Sequence, residues 1–142
     1  MKYFLFSSND ILSFEECVED NNFWGSKDKN AFKLLDIHKG DKVIFYCSEK
    51  KRFIADCLVY EQPRPIEEYE DLINSVWNTK ECKVPVVIRL KKIRDLDRQL
   101  DYTNWKMLNT FEHLKDRKSV SASLQSKSLR EIDLNDYNFI TN

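Results

Sequence analysis

A chain of 142 residues with 42% hydrophobic and 13% aromatic content fits one domain over residues 1–142, with enough apolar side chains to bury a core without disulfides or metals. Two glycines and three prolines argue against a repeat array or a disordered chain. With 23 basic and 24 acidic residues the formal net charge is -1, so no global field draws in a polyanion and such a contact needs a local patch.

The N-terminal "KYFLFSS" is short and aromatic-rich, and it ends in Ser7-Ser8-Asn9-Asp10, which predicts a strand running into a turn. Its apolar run is too short for a secretory signal, and no segment approaches the roughly 18 apolar residues of a membrane span, so a cytoplasmic location is expected. Asn9 or Asp10 then caps a helix through "ILSFEECVED", where Ile11, Phe14 and Val18 recur at helical spacing with Cys17 on the same side. "NNFWGSKDKN" sets Trp24 in a polar stretch and reads as a loop. Its ring serves either as a packing anchor or as the wall of a flat-ligand site, and Gly25 beside it permits close backbone approach.

Gly40 before Asp41 predicts a positive-φ turn that launches a buried strand from Val43 to Cys47. Asp41 itself reads as a turn residue that bonds nearby backbone. The charged "SEKKR" has hairpin length, and Phe53, Ala55, Cys57 and Val59 alternate along the partner strand. An acidic, proline-led excursion, "PRPIEEYEDLINSVWNTKECK", comes next and carries Trp77. "VPVVIRLKKIRDL" then shows a period of two, with Val84, Val86, Ile88 and Leu90 on one face and Val87, Arg89 and Lys91 on the other. Trp105 has core partners at helical spacing in "TNWKMLNTFEHL". A basic, serine-rich stretch places Lys115, Arg117, Lys118 and Lys127 against Asp116 alone. The end combines a capping-box pattern, Ser128 with Glu131, and Asp133 capping a short helix that carries Leu134, Tyr137 and Ile140. Cys17, Cys47, Cys57 and Cys82 lie far apart without a CxxC pair and read as reduced, mostly core thiols.

This order of pieces resembles the EVE domain family of the PUA-like superfamily, which also includes the YTH readers of methylated RNA. The specific pieces are Trp24-Gly25, Gly40-Asp41 with the strand Val43 to Tyr46, Pro85 with Arg89, and Leu129-Arg130-Glu131-Ile132 with Asp136-Tyr137. The resemblance implies an α+β fold, a PUA-like bent β-barrel of five or six strands decorated by short helices. It also implies a non-enzymatic nucleic-acid-binding module, in which a methylated or otherwise modified base of DNA or RNA is flipped into an aromatic pocket. Such modules serve as specificity elements of larger defence or RNA-processing systems. No cofactor is expected.

Carried onto this chain, Trp24 and Trp77 become stacking surfaces, and Gly25, Ser26 and Asn30 lie where the base edge is read. Tyr46 directs its hydroxyl either to the pocket or to the barrel rim. Lys115, Arg117, Lys118 and Lys127 become phosphate contacts, against the ordinary role of a basic stretch as a solvated loop. The sequence departs from the family at Ala55, where a glycine is expected, and at Val120, Gln125 and Ser126, where relatives carry a tryptophan and an arginine-glycine pair. The near-neutral net charge and the departures at Val120, Gln125 and Ser126 are consistent with the alternative, a protein-interaction or scaffold domain of PUA-like fold without nucleic-acid affinity. An enzyme ranks last, because no GxSxG, HExxH or GxxxxGK[ST] motif occurs and neither His38 nor His113 belongs to a metal-ligand cluster.

Overall fold

Tyr3–Ser8 forms β1, whose register with two other strands fixes the rest of the sheet. The computed structural model describes residues 1–26, 36–65, 86–99, 107–109 and 129–142. Asp10 caps the first helix: its Oδ1 accepts the Ser13 backbone N–H at 2.7 Å and starts α1, Ile11–Phe14. The helix expected to run on to Asp20 instead widens into a π-helical turn, Glu15–Glu19, closed by the Asp20 N–H on the Glu15 carbonyl at 2.9 Å. The extra residue in that turn shifts the buried face. Phe14, Cys17 and Val18 all enter the core.

Trp24 does not sit in a loop. Asn22, at φ 55, reverses the chain, and Phe23–Ser26 forms β2. Pairing with a distant strand, Phe23 against Arg89 through Ser26 against Val86, overrides the polar neighbours, and the aromatic residues suit the pleated, half-buried surface that results. Gly40 has the expected positive φ, 95°, in open space, so its demand is conformational rather than steric. Asp41 accepts two backbone N–H groups, those of Lys2 at 2.9 Å and His38 at 2.8 Å, and so ties the N-terminus to this turn.

β3 (Lys42–Cys47) and β4 (Arg52–Val59) form the predicted hairpin, with Lys51 at φ 53 in the connection and a bulge at Phe45/Tyr46. A two-residue β5 (Arg64–Pro65) and the 13-residue β6 (Val86–Arg98) come next along the chain. The start of β6 pairs with β2 and β5, and the remainder pairs with β4. Val87, Ile88 and Leu90 are all buried, so the start of β6 is covered on both faces while Arg89 remains partly exposed. β7 (Leu129–Ile132) lies antiparallel to β1, and α2 (Leu134–Thr141) closes the described chain.

The six-strand path is β2-β6-β4-β3-β1-β7, with β5 pairing β6 beside it. β1 and β3 are parallel and the other pairs antiparallel. Of the residues expected to form a capping box with Ser128, which lies outside the described residues, Leu129 to Glu131 belong to a strand. Their burial alternates, and the free side of β1 offers backbone partners that a helix would leave unused. The Asp133 cap holds, its Oδ1 accepting the Asp136 N–H at 2.8 Å. Of the helical stretch expected around Trp105 only residues 107–109 are described, and they dock on α2: the Asn109 N–H donates to Asp136 Oδ1 at 2.8 Å.

Alternation along β1 and β3 sorts side chains into two clusters, one on each side of the sheet. Phe4, Phe6, Val43 and Phe45 point inward to meet Phe14, Cys17 and Phe23. Leu5, Ile44, Tyr46 and Phe53 point outward to meet Leu108, Ile132 and Ile140. Each buried Phe contributes about 1.5–3 kcal/mol relative to exposure. The sheet curls strongly. Trp24 on β2 reaches Phe45 on β3 at a ring separation of 5.1 Å, although a flat sheet would hold those strands roughly 14 Å apart. Among the described residues no helix is long and apolar enough to cross a membrane.

Candidate functional site

Among the described residues, the inner cluster has one aromatic side chain that is only partly buried, Trp24. β2 holds it opposite Ile88, and its indole meets Phe45 edge-on, with ring planes 76° apart. Phe45 is shared: Phe14 lies 5.0 Å and Phe6 5.5 Å from the same ring. Edge-to-face contact satisfies the ring quadrupoles and fixes the indole's orientation, and among the described residues no parallel ring is stacked on it. The result is an apolar surface set at the curled edge of the sheet. Chemically, such a surface stacks flat unsaturated rings.

Gly25 comes next in β2 opposite Val87, and Ser26 ends the strand opposite Val86. Asn30, Trp77, Lys115, Arg117, Lys118 and Lys127 lie outside the described residues. Tyr46 is separated from Trp24. It is 2% exposed in the outer cluster, packed edge-on to Phe53 at 5.1 Å, because neighbouring positions on β3 face opposite sides. Within the described residues, then, the geometry brings together Trp24, Gly25 and Ser26 and leaves Tyr46 as packing on the other face.

Two polar constellations escaped the reading of the sequence. Arg89 donates through Nε to the Tyr60 hydroxyl at 2.6 Å, and its guanidinium carbon lies 5.5 Å from the centre of the Tyr60 ring. A polar residue at an outward position of a strand was visible; its aromatic partner, brought in by the β4–β6 pairing, was not. The second is a buried carboxylate. Asp56, in mid-strand and 2% exposed, accepts from the Tyr137 hydroxyl at 2.7 Å and from Arg94 Nε at 3.1 Å, both through Oδ2. An aspartate inside "FIADCLV" was the available signal, since an unpaired carboxylate there would be costly.

Ionisation reflects these surroundings. Burial, and then the Asp56 carboxylate that the hydroxyl donates to, push the Tyr137 phenol up to about 12. Burial in the core drives the Cys57 thiol far upward, which leaves it a poor nucleophile. Cys17, Cys47 and Cys57 are all buried. Hydrogen bonds to Asp95 and Glu19 raise the Lys92 ammonium. Among the described residues no group of three His, Cys, Asp or Glu side chains is placed to hold a metal ion.

A curled, mixed sheet with one short helix against its inner side and another against its outer side is a PUA-like architecture. The EVE domain family model matches residues 2–142, and the chain belongs to that family. No curated protein matches the sequence. Among solved structures, the chain is similar to the YTH domain of Zygosaccharomyces rouxii MRB1 in complex with N6-methyladenosine RNA, with a TM-score of 0.65, 18% identity, and coverage of 99% of this chain and 82% of that one. It is also similar to human THYN1 in complex with 5-methylcytosine-containing DNA, with a TM-score of 0.64, 12% identity, and coverage of 99% and 96%. Agrobacterium tumefaciens Atu2648 gives a TM-score of 0.64 at 16% identity, with coverage of 99% and 91%.

Proposed function

We propose that this domain is a non-enzymatic module that binds nucleic acid and recognises a modified, methylated base stacked against Trp24. The observation that carries the reading is the partly buried indole, held edge-on by Phe45 at the rim of the sheet. The similarity in fold to proteins solved with N6-methyladenosine RNA and with 5-methylcytosine DNA supports it. Every base presents a π-face, and stacking contributes about 1–3 kcal/mol per base. A methyl group adds apolar area against the same wall.

In this reading Trp77 supplies a second aromatic surface, and Gly25, Ser26 and Asn30 read the base edge. Lys115, Arg117, Lys118 and Lys127 neutralise backbone phosphates, and the domain serves as the specificity element of a larger defence or RNA-processing system.

The test is a tryptophan-fluorescence titration with short single-stranded oligonucleotides, unmodified or carrying methylated adenine or cytosine, on the wild type and on Trp24→Leu. Leucine keeps apolar packing on Phe45 but has no aromatic face. Saturable quenching that prefers one methylated base, with about 1–3 kcal/mol lost in the variant, is the expected result. Equal affinity of wild type and variant for every oligonucleotide would move the assignment to a protein-interaction domain, in which Trp24 packs and nothing more.

A further inference from the structure

The far end of β6 carries an unusual pair of arginines. Register slips between β4 and β6 set Arg94 opposite Asp56 and Arg98 opposite Phe53, on the outer face of the sheet. Asp95 falls opposite Ala55, on the inner side. Between this arm and the last turn of α2 lies an open groove of about 410 Å³, lined by Arg94, Leu96, Arg98 and Ile140 together with the acidic residues Asp95 and Asp97.

Arg98 stacks on Phe139, its guanidinium carbon 5.0 Å from the ring centre. Its Nε is buried without a hydrogen-bond partner, and among the described residues it has no carboxylate partner. Leaving a buried N–H unbonded is costly, and a guanidinium stacked on an aromatic ring has already lost much of its side-chain freedom. Arg94 donates through Nε to Asp56 at 3.1 Å and lines the same groove. The two acids on the same arm each have a cation at the surface: Asp97 pairs with Arg52 at 2.6 Å, and Asp95 with Lys92 at 2.8 Å, a lysine that Glu19 shares.

We propose that this groove is an anion site that takes a phosphate group, with Arg98 as its fork and Arg94 as the second donor. A planar carboxylate is satisfied by one guanidinium fork, whereas a phosphate presents further oxygens and a second charge for another. The site lies on the face of the sheet opposite Trp24 and does not rest on the base-recognition reading. Its phosphate comes either from a polynucleotide backbone or from a free phosphate compound.

The experiment tracks the arginine Nε–Hε resonances of the full chain by NMR, with Arg98 assigned through Arg98→Lys. Inorganic phosphate is titrated first, then an unmodified single-stranded oligonucleotide. A saturable shift of the Arg98 and Arg94 resonances with phosphate is expected, and in Arg98→Lys, which keeps the charge but not the fork, the remaining Arg94 resonance no longer saturates over the same phosphate range. If the source is a backbone, the oligonucleotide saturates the site at far lower concentration than phosphate. Replacing both arginines by glutamine then lowers affinity roughly ten-fold and flattens the salt slope by about 0.7 per lost contact. Saturation by phosphate with no gain from the polymer assigns a free phosphate compound. An Arg98 resonance that moves with neither ligand overturns the proposal, and the lysine variant carries the test if the double glutamine variant fails to fold. None of these outcomes depends on methylated bases, so the groove and the Trp24 surface succeed or fail separately.

Discussion

The two sides of the curled sheet are built from different materials. Inside, Phe6, Phe14, Phe23 and Phe45 join Val, Ile, Leu, Cys and Ala side chains. Outside, tyrosines and phenylalanines are interleaved with a buried carboxylate, and α2 is fastened by hydrogen bonds as much as by apolar contact. The inner side is stabilised by area and shape. The outer side depends on directional bonds, each of which loses its value when one partner is removed.

The largest effect should come from cutting the inner side at its shared ring. Phe45→Ala removes the common neighbour of Phe6, Phe14 and Trp24 and should cost about 3–5 kcal/mol in denaturant unfolding. A loss under about 1 kcal/mol would mean that the cluster collapses around the gap, and the contrast between the faces would dissolve.

The outer side should respond less to size and more to chemistry. Asp56→Ala strips the Tyr137 hydroxyl and Arg94 of their acceptor and should cost about 1–3 kcal/mol. The same contact predicts a pH signature. The folded phenol of Tyr137, at about 12, stands above its ordinary value of 10.0. The fold therefore favours the neutral form, so the contribution is complete below the unfolded value and disappears as pH climbs through the folded one. The stability gap between wild type and Tyr137→Phe should stay level below about pH 10 and shrink between 10 and 12, measured by unfolding at stepped pH. A gap that stays level through pH 12 would place the hydroxyl outside the Asp56 contact.

The smallest effect sharpens the comparison at a helix end. Asp133→Ala removes the α2 cap and should cost about 1 kcal/mol, measured by urea unfolding, with the inner cluster untouched.

Much of this was legible in the residues. The strands around Phe4, Phe45 and Cys57, the Gly40 turn and the Asp10 and Asp133 caps arise from short-range signals, period two and turn chemistry, and they appear where those signals place them. The misses are long-range. Trp24 is in a strand because β6 lies beside it, and Leu129 to Ile132 extend because β1 offers an edge. No local pattern contains either partner. The candidate site divides likewise: Trp24 and Gly25 were visible as an aromatic-glycine pair, while the Arg98–Phe139 stack depends on register slips that sequence periodicity cannot express. Tyr46 shows the limit in another way, since a residue type suited to a pocket was assigned to the other face by its parity along β3.

The long β6 also sets the order in which the chain can be assembled. β2 has β6 as its strand partner among the described residues, and β1 gains β7 only near the chain's end. During synthesis the Trp24 strand therefore waits, without its partner, until the distant segment around Ile88 has emerged. Non-local pairings of this kind slow folding, because the intervening chain loses its freedom before any contact rewards it. The aromatic edge would then be among the last parts of the domain to mature, and during that interval its exposed apolar surface is open to passing chaperones.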